Sequence, residues 1–238
     1  MDTIPLSMPI LMDGATGTEL RRLGMPDGAC TEQWVLEHPQ ALLEVQRRYV
    51  QAGSRILLAP TFGANRASLE RRGIMGQVRE YNQRLVELTR QAAGDGVLVA
   101  GDMAPAGLTL VPFGESSFEE LVAVYTEQAA ALEAAGVDLF FLETMTDMAQ
   151  ARAAVLACKS VSDKPVWVSF TCGDEGRTPG GTDVLAGLIV MQGMGVSAFG
   201  LNCTSPEDTA EQLERLPPYA SVPLIAKPSA GLPGVCCT

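Results

Sequence analysis

Residues 137–144 read VDLFFLET. Leu139, Phe140, Phe141 and Leu142 follow one another without a polar break, and the acid and hydroxyl come only at the end. A strand with one wet face alternates apolar and polar residues, whereas a strand covered on both faces is continuously apolar, so this stretch reads as a strand inside a parallel sheet. Six further runs share the pattern: PILMDG (9–14), RILLAPT (55–61), VLVAGD (97–102), PVWVSFT (165–171), SAFGLNC (197–203) and VPLIAKP (222–228). Each ends in Gly, Pro or a polar residue, giving seven expected strands.

Helical patterns lie between them. In SSFEELVAVYTEQAAALEAAG (116–136), Phe118, Leu121, Val122, Tyr125, Ala129 and Leu132 recur at helical spacing, Ser116 with Glu119 fits a capping box, and Gly136 can stop the helix. Other helices are expected from Pro39 to Gly53, through GQVREYNQRLVELTRQAAG (76–94), from Asp147 to about Ser160, from Thr182 to Gly195, and from Ser205 to about Leu216. Regular alternation of strand and helix leaves two architectures, a (β/α)8 barrel and a doubly wound sheet.

The position of the polar residues separates the two. Asp13, Thr61, Asp102, Glu143, Thr171, Cys203 and Lys227 stand at the carboxy ends of the seven runs. A barrel collects functional groups from many strand ends around one mouth, while a doubly wound sheet concentrates them at one switch point, often behind a Gly-rich phosphate turn. The turn after the first run, DGATGTEL (13–20), lacks G-x-G-x-x-G spacing, and no P-loop is present. The expected fold is therefore α/β, a TIM-type barrel with seven recognisable strands and incomplete at its carboxy-terminal end, with residues 1–238 forming one domain.

Composition limits the partners. The chain of 238 residues carries 17 basic and 28 acidic residues, a formal charge of −11, which disfavours electrostatic capture of nucleic acid or an anionic membrane. No run approaches the roughly eighteen apolar residues of a membrane span, and MDTIPLSMPILMDG is a poor signal peptide, so a cytoplasmic location is expected. Six cysteines are too sparse for a disulfide scaffold and read as free, metal-binding or catalytic. The single histidine, His38, reads as an exposed residue flanking a helix start, and Cys158 as core.

Three thiols can meet. Cys203 ends the sixth run, and Cys236 and Cys237 follow the seventh after a short loop. Neighbouring parallel strands lie about 4.8 Å apart with their carboxy ends on one side, a distance easily spanned by a ten-residue loop. Three thiolates suit tetrahedral Zn²⁺ with one position left open, the arrangement of catalytic zinc, where a substrate thiol stays ionised and nucleophilic. The alternative is a small core residue at 203 and an incidental terminal pair. Asp13 and Glu143 likewise suit either a substrate ammonium or the cap of the following helix.

LMDGATGTEL (11–20), PTFGANR (60–66), GDMAPAG (101–107), FFLETM (140–145), GLNCTSPE (200–207) and IAKPSAGLPG (225–234) together resemble, in this order, the homocysteine S-methyltransferase family. The resemblance implies a (β/α)8 barrel in which zinc is held by the cysteine of G-x-N-C and by a later cysteine pair. By position it implies Cys203, Cys236 and Cys237 as zinc ligands, Asp13 and Glu143 on the substrate ammonium, and the amides of Gly14 and Ala15 on its carboxylate. Thr61, Asn65 and Asn202 would line the pocket. The implied activity is methyl transfer to the thiol of homocysteine, giving methionine.

AKPSAGLPG is similar to the homocysteine domain of cobalamin-dependent methionine synthase, which implies a methylcorrinoid donor, with S-methylmethionine the alternative. No D-x-H-x-x-G motif is present, so the expectation is that this chain binds no corrinoid itself and that any corrinoid arrives on a partner protein. The helix and strand that separate the seventh-strand loop from the cysteine pair in the family are absent here, roughly 30 residues. A barrel left open there exposes strand edges, so a homodimer covering the gap is expected. Other readings are methyl transfer to a different small thiol, and a non-catalytic zinc- or amino-acid-binding remnant.

Overall fold

The structure, a computed structural model, describes residues 9–173 and 175–231. Six strands form one parallel sheet: β1 (Ile56–Ala59), β2 (Leu98–Met103), β3 (Leu139–Met145), β4 (Val166–Phe170), β5 (Ala198–Asn202) and β6 (Leu224–Lys227). Their spatial order is their chain order, β1 to β6. Doubly wound sheets reverse direction at a switch point; this sheet never does, and it curls into a half-barrel. The architecture is an incomplete barrel of the (β/α)8 type.

Side chains on alternate positions of each strand enter two different apolar layers. Leu57, Val99, Phe140, Val168 and Phe199 pack with the helices, whereas Ile56, Leu58, Ala100, Leu139, Phe141, Ala198 and Ile225 pack with one another and with Ile10, Met12 and Trp167. The second layer contains no residue of the covering helices and is the inside of the curl. Both faces being apolar explains the unbroken runs.

The crossovers are α4 (Arg66–Arg71) and α5 (Val78–Ala93) between β1 and β2, then α6 (Phe118–Ala134), α7 (Met148–Val161), α8 (Val184–Gly193) and α9 (Pro206–Glu214), one after each following strand. Ahead of β1 lie α1 (Thr16–Arg22), α2 (Thr31–Glu37) and α3 (Pro39–Gln51). The short helices α1, α2 and α4 have no counterpart in the sequence patterns.

Two expectations need correction. The first apolar run, 9–14, makes only an isolated parallel bridge, Met12 to Ile56, so the sheet has six strands rather than seven among the described residues. The cause is Asp13: the next ladder donor, Leu58 N–H, goes to its carboxylate Oδ2 at 2.8 Å instead of to a backbone carbonyl. The cap of α6 is Ser117, whose Oγ accepts from Glu120 N at 3.0 Å, one residue beyond the expected Ser116. Ser116 is held elsewhere, bridged to Leu110 across the β2–α6 loop. His38 is exposed as expected and stacks on Trp34 with ring centroids 4.4 Å apart.

Gly200 in β5 is where two backbones come closest: a Cβ there would lie 1.9 Å from the carbonyl oxygen of Ile225 on β6. Gly200→Ala is therefore expected to lower stability by about 3 kcal/mol or more, from overpacking against backbone that cannot yield. Gly193→Ala, at a helical position with nothing within 4 Å of the new Cβ, should be neutral or raise stability by about 0.5 kcal/mol. Urea denaturation of the two variants checks the contrast, and equal midpoints would refute it.

Candidate functional site

The inner-face parity of the strands carries on into polar residues at their carboxy ends. Ala100 is followed two residues on by Asp102, Phe141 by Glu143, and Ile225 by Lys227. The inside of the half-barrel therefore changes from apolar to charged at one level. Asp13 joins this level from the bridge beside β1, its own N–H donating to Ile56 O at 3.0 Å.

Lys227 is central to the cluster. Its Nζ donates to Glu143 Oε1 at 2.6 Å, stands 4.0 Å from Asp13 Oδ1, and lies 5.7 Å from the centroid of the Phe141 ring. Asp13 and Asp102 are both buried, and among the described residues Oδ1 of each has no hydrogen-bond partner. Burial pushes the Asp13 carboxyl up to about 7, against the opposing pull of Lys227 and the Leu58 N–H. Burial, reinforced by Glu143, holds Asp102 well above the usual carboxylate range. For Lys227, burial alone would favour the neutral amine, but Glu143, Asp13 and Asp102 outweigh it and raise its affinity for the proton. Three carboxyls thus face one cation.

A second group adjoins it. Thr144 and Cys203, just past Glu143 and Asn202, both adopt left-handed backbone with φ of 57° and 54°, uncommon for residues with a side chain. Asn202 holds both. Its Oδ1 accepts from Thr144 N at 2.9 Å and from Ser169 Oγ at 2.8 Å, while its Nδ2 donates to Thr144 Oγ1 at 2.6 Å and to Cys203 Sγ at 3.3 Å. Thr144 Oγ1 donates in turn to Cys203 Sγ at 3.7 Å, and Cys203 N donates to Lys227 O at 3.3 Å. The thiol is exposed, and its sulfur accepts from both Asn202 Nδ2 and Thr144 Oγ1.

The remaining expected site residues are distributed as follows. Thr61 is fully buried and fastens β1 to β2, its hydroxyl donating to Asp102 O at 2.8 Å and accepting from Asp102 N at 3.1 Å. Asn65 caps α4 by accepting from Ser68 N at 2.9 Å, which leaves its buried Nδ2 without a partner. The carbonyls of Gly14 and Ala15 accept within the first turn of α1, while among the described residues their N–H groups have no partner. Gly14 lies so close to Tyr49 that a Cβ would come 2.9 Å from its hydroxyl. Cys236 and Cys237 lie outside the described residues, among which no cluster of three or more metal-ligating side chains occurs. Cys158 is core, with its thiol pushed up by burial.

Lys227, Asp102 and Thr144 received no role from the sequence, although the first two were visible as strand-end polar residues. Counting by twos from an inner-face apolar residue would have grouped Asp102, Glu143 and Lys227. Glu32 on α2 had no such signal: buried, it accepts from Gly63 N at 2.6 Å and anchors the loop after β1.

Fold and site together define an α/β protein of the barrel type, with a charged cluster and a presented thiol at the carboxy-terminal mouth. The chain belongs to the homocysteine S-methyltransferase family, whose model matches residues 10–235. It is 31% identical over 239 residues to methionine synthase of Mycobacterium leprae, covering 93% of this chain but 20% of that protein, and so spans about a fifth of the length of that relative. Homocysteine S-methyltransferase of Escherichia coli is 28% identical over 242 residues, covering 93% of this chain and 78% of that one. The solved structure of the E. coli homocysteine methyltransferase MmuM in its metallated form matches with a TM-score of 0.84 at 28% identity, covering 93% of this chain and 84% of that one.

The raised Asp13 carboxyl has a consequence for stability. Unfolded, it releases its proton near 3.8; folded, it keeps it to about 7. The folded state thus binds more protons in that window, so this group makes stability fall as pH rises from about 4 to about 7 and adds no further change above it. Asp13→Asn, which retains an acceptor for Leu58 N–H, should flatten that fall, on the order of a few kcal/mol. Urea midpoints across the range check it; identical slopes in parent and variant would sink the assignment.

Proposed function

We propose that this protein transfers a methyl group to the thiol of homocysteine, giving methionine. The observation that carries the reading is the juxtaposition of two chemistries at one mouth: carboxyls facing an ammonium, and an exposed cysteine held by Asn202 and Thr144, joined through the Cys203 N to Lys227 O bond. An amino-acid thiol needs both. Membership of the family supports the same substrate.

In this reading Asp13 and Glu143 take the substrate ammonium. The free amides of Gly14 and Ala15 take its carboxylate, and Thr61, Asn65 and Asn202 shape the wall. Cys203 fits a metal ligand: its sulfur is accessible and stabilised by two donors, and its constrained backbone fixes where it points. Cys236 and Cys237 would complete a zinc site with it. Zinc, when bound, supplies the positive field that keeps a substrate thiol ionised at neutral pH. Homocysteine sulfur forms the new bond to the methyl carbon, the bond between methyl and donor breaks with its electron pair left on the donor, and the thiol proton goes to solvent.

The methionine synthase relatives favour a methylcorrinoid carried by a partner protein as donor, with S-methylmethionine the alternative. We read residues 1–238 as one domain in the cytoplasm; among the described residues no helix is long and apolar enough to cross a membrane. The outer edge of β6, which pairs with no further strand among the described residues, favours a homodimer that covers it.

Metal analysis by mass spectrometry on anaerobically purified full-length protein tests the reading. The expected result is about one zinc per chain, lost in Cys203→Ala and Cys236→Ala together with homocysteine binding, and methionine formed from homocysteine and methylcobalamin or S-methylmethionine. Zinc indifferent to both cysteines, with no methionine from either donor, would refute it. Sedimentation should give a dimer, and a monodisperse monomer counts against the covered edge.

A further inference from the structure

The carboxyl cluster is already filled. Lys227 Nζ stands at 2.6 Å from Glu143 and 4.0 Å from Asp13, the two groups that the reading above reserves for the substrate ammonium. A lysine ε-ammonium and an amino acid's α-ammonium have the same charge and the same three donors, so a position that satisfies one satisfies the other. The two cannot share Glu143 Oε1 and the space before it without bringing like charges into contact.

We propose that Lys227 is a built-in occupant of the ammonium subsite, which the amino group of the substrate displaces. This rests on homocysteine binding at Asp13 and Glu143. Three features support displacement over a fixed ion pair. Asp102 Oδ1 and Asp13 Oδ1, the latter 4.0 Å from Nζ, are buried acceptors without a hydrogen-bond partner among the described residues, so the site has hydrogen-bonding capacity that the tethered cation leaves unused. The Lys227 side chain is 19% exposed and ends β6, the last strand of the described sheet, so its flexible stem has a route to solvent. The strand itself stays anchored, because Ser229 N donates to Thr204 O at 2.9 Å and Cys203 N to Lys227 O.

The consequence is selectivity. Affinity for any ligand is reduced by the fraction of molecules in which Lys227 occupies the site, and only a ligand bringing its own ammonium replaces what Glu143 and Asp13 lose. Thiols without an amino group meet a closed pocket.

The chain contains only three lysines, Lys159, Lys164 and Lys227, so protein labelled with ¹³C at the lysine ε-carbon gives three resolvable signals, assigned with Lys159→Arg and Lys164→Arg. Titration with L-homocysteine should move the Lys227 signal to the position of a solvent-exposed lysine, saturating with the calorimetric binding curve. 4-Mercaptobutanoate, which lacks the amino group, should leave it in place. In Lys227→Ala, homocysteine affinity should rise about tenfold, and 4-mercaptobutanoate, no longer shut out by the lysine, should gain at least as much. Calorimetric binding of homocysteine with an unmoved Lys227 signal overturns the proposal alone. So does weakened binding in Lys227→Ala, which would mean that the lysine pairs with the substrate carboxylate. Absence of any homocysteine binding removes the reading and the proposal together. If Lys227→Ala fails to fold, the titration of the parent decides.

Discussion

A parallel strand packed on both faces can keep a polar side chain in water or in company only at its ends, and the site follows from that constraint. Leu139 to Leu142 and their counterparts fill two apolar layers, one under the helices and one inside the curl. Charge buried within either layer without a partner would cost several kcal/mol. Asp102, Glu143 and Lys227 accordingly come where the inner layer stops, and because all six strands run the same way they arrive at one level. The fold gathers charge at one mouth.

What is gathered there is unbalanced. Asp13, Asp102 and Glu143 face one lysine, and two of the carboxyls have an oxygen with no hydrogen-bond partner among the described residues. In a folded protein such an arrangement is a standing destabilisation, expressed in the raised proton affinity of Asp13 and Asp102. Asn202 does the complementary work for the thiol. Three hydrogen bonds of one amide, itself anchored by Ser169 Oγ, hold Thr144 and Cys203, whose backbone conformation side chains disfavour, and fix where the sulfur stands.

Much of this was legible beforehand, in specific places. Strands at 56–59, 98–103, 139–145, 166–170, 198–202 and 224–227 coincide with apolar runs because burial on two faces leaves an unmistakable composition. The first run failed as a strand although its composition matched, since Asp13 spends its side chain on the ladder and ends the pairing. The α6 cap slipped by one residue because Ser116 had a competing partner, Leu110, that lies outside the local pattern. Helices α1, α2 and α4 are six or seven residues long, too short for periodicity to register.

The sequence by itself determined the alternation of strand and helix, the barrel rather than a nucleotide-binding sheet, the family, and the residues that stand at the strand ends. Those are properties of pattern and spacing along one chain. Only the tertiary structure decided that Lys227, 84 residues from Glu143, puts its ammonium against that carboxylate, that Asn202 binds across to Thr144, and that Thr61 is committed to the Asp102 backbone. Such contacts depend on strand register and on side-chain direction across the curl, quantities that no local spacing encodes.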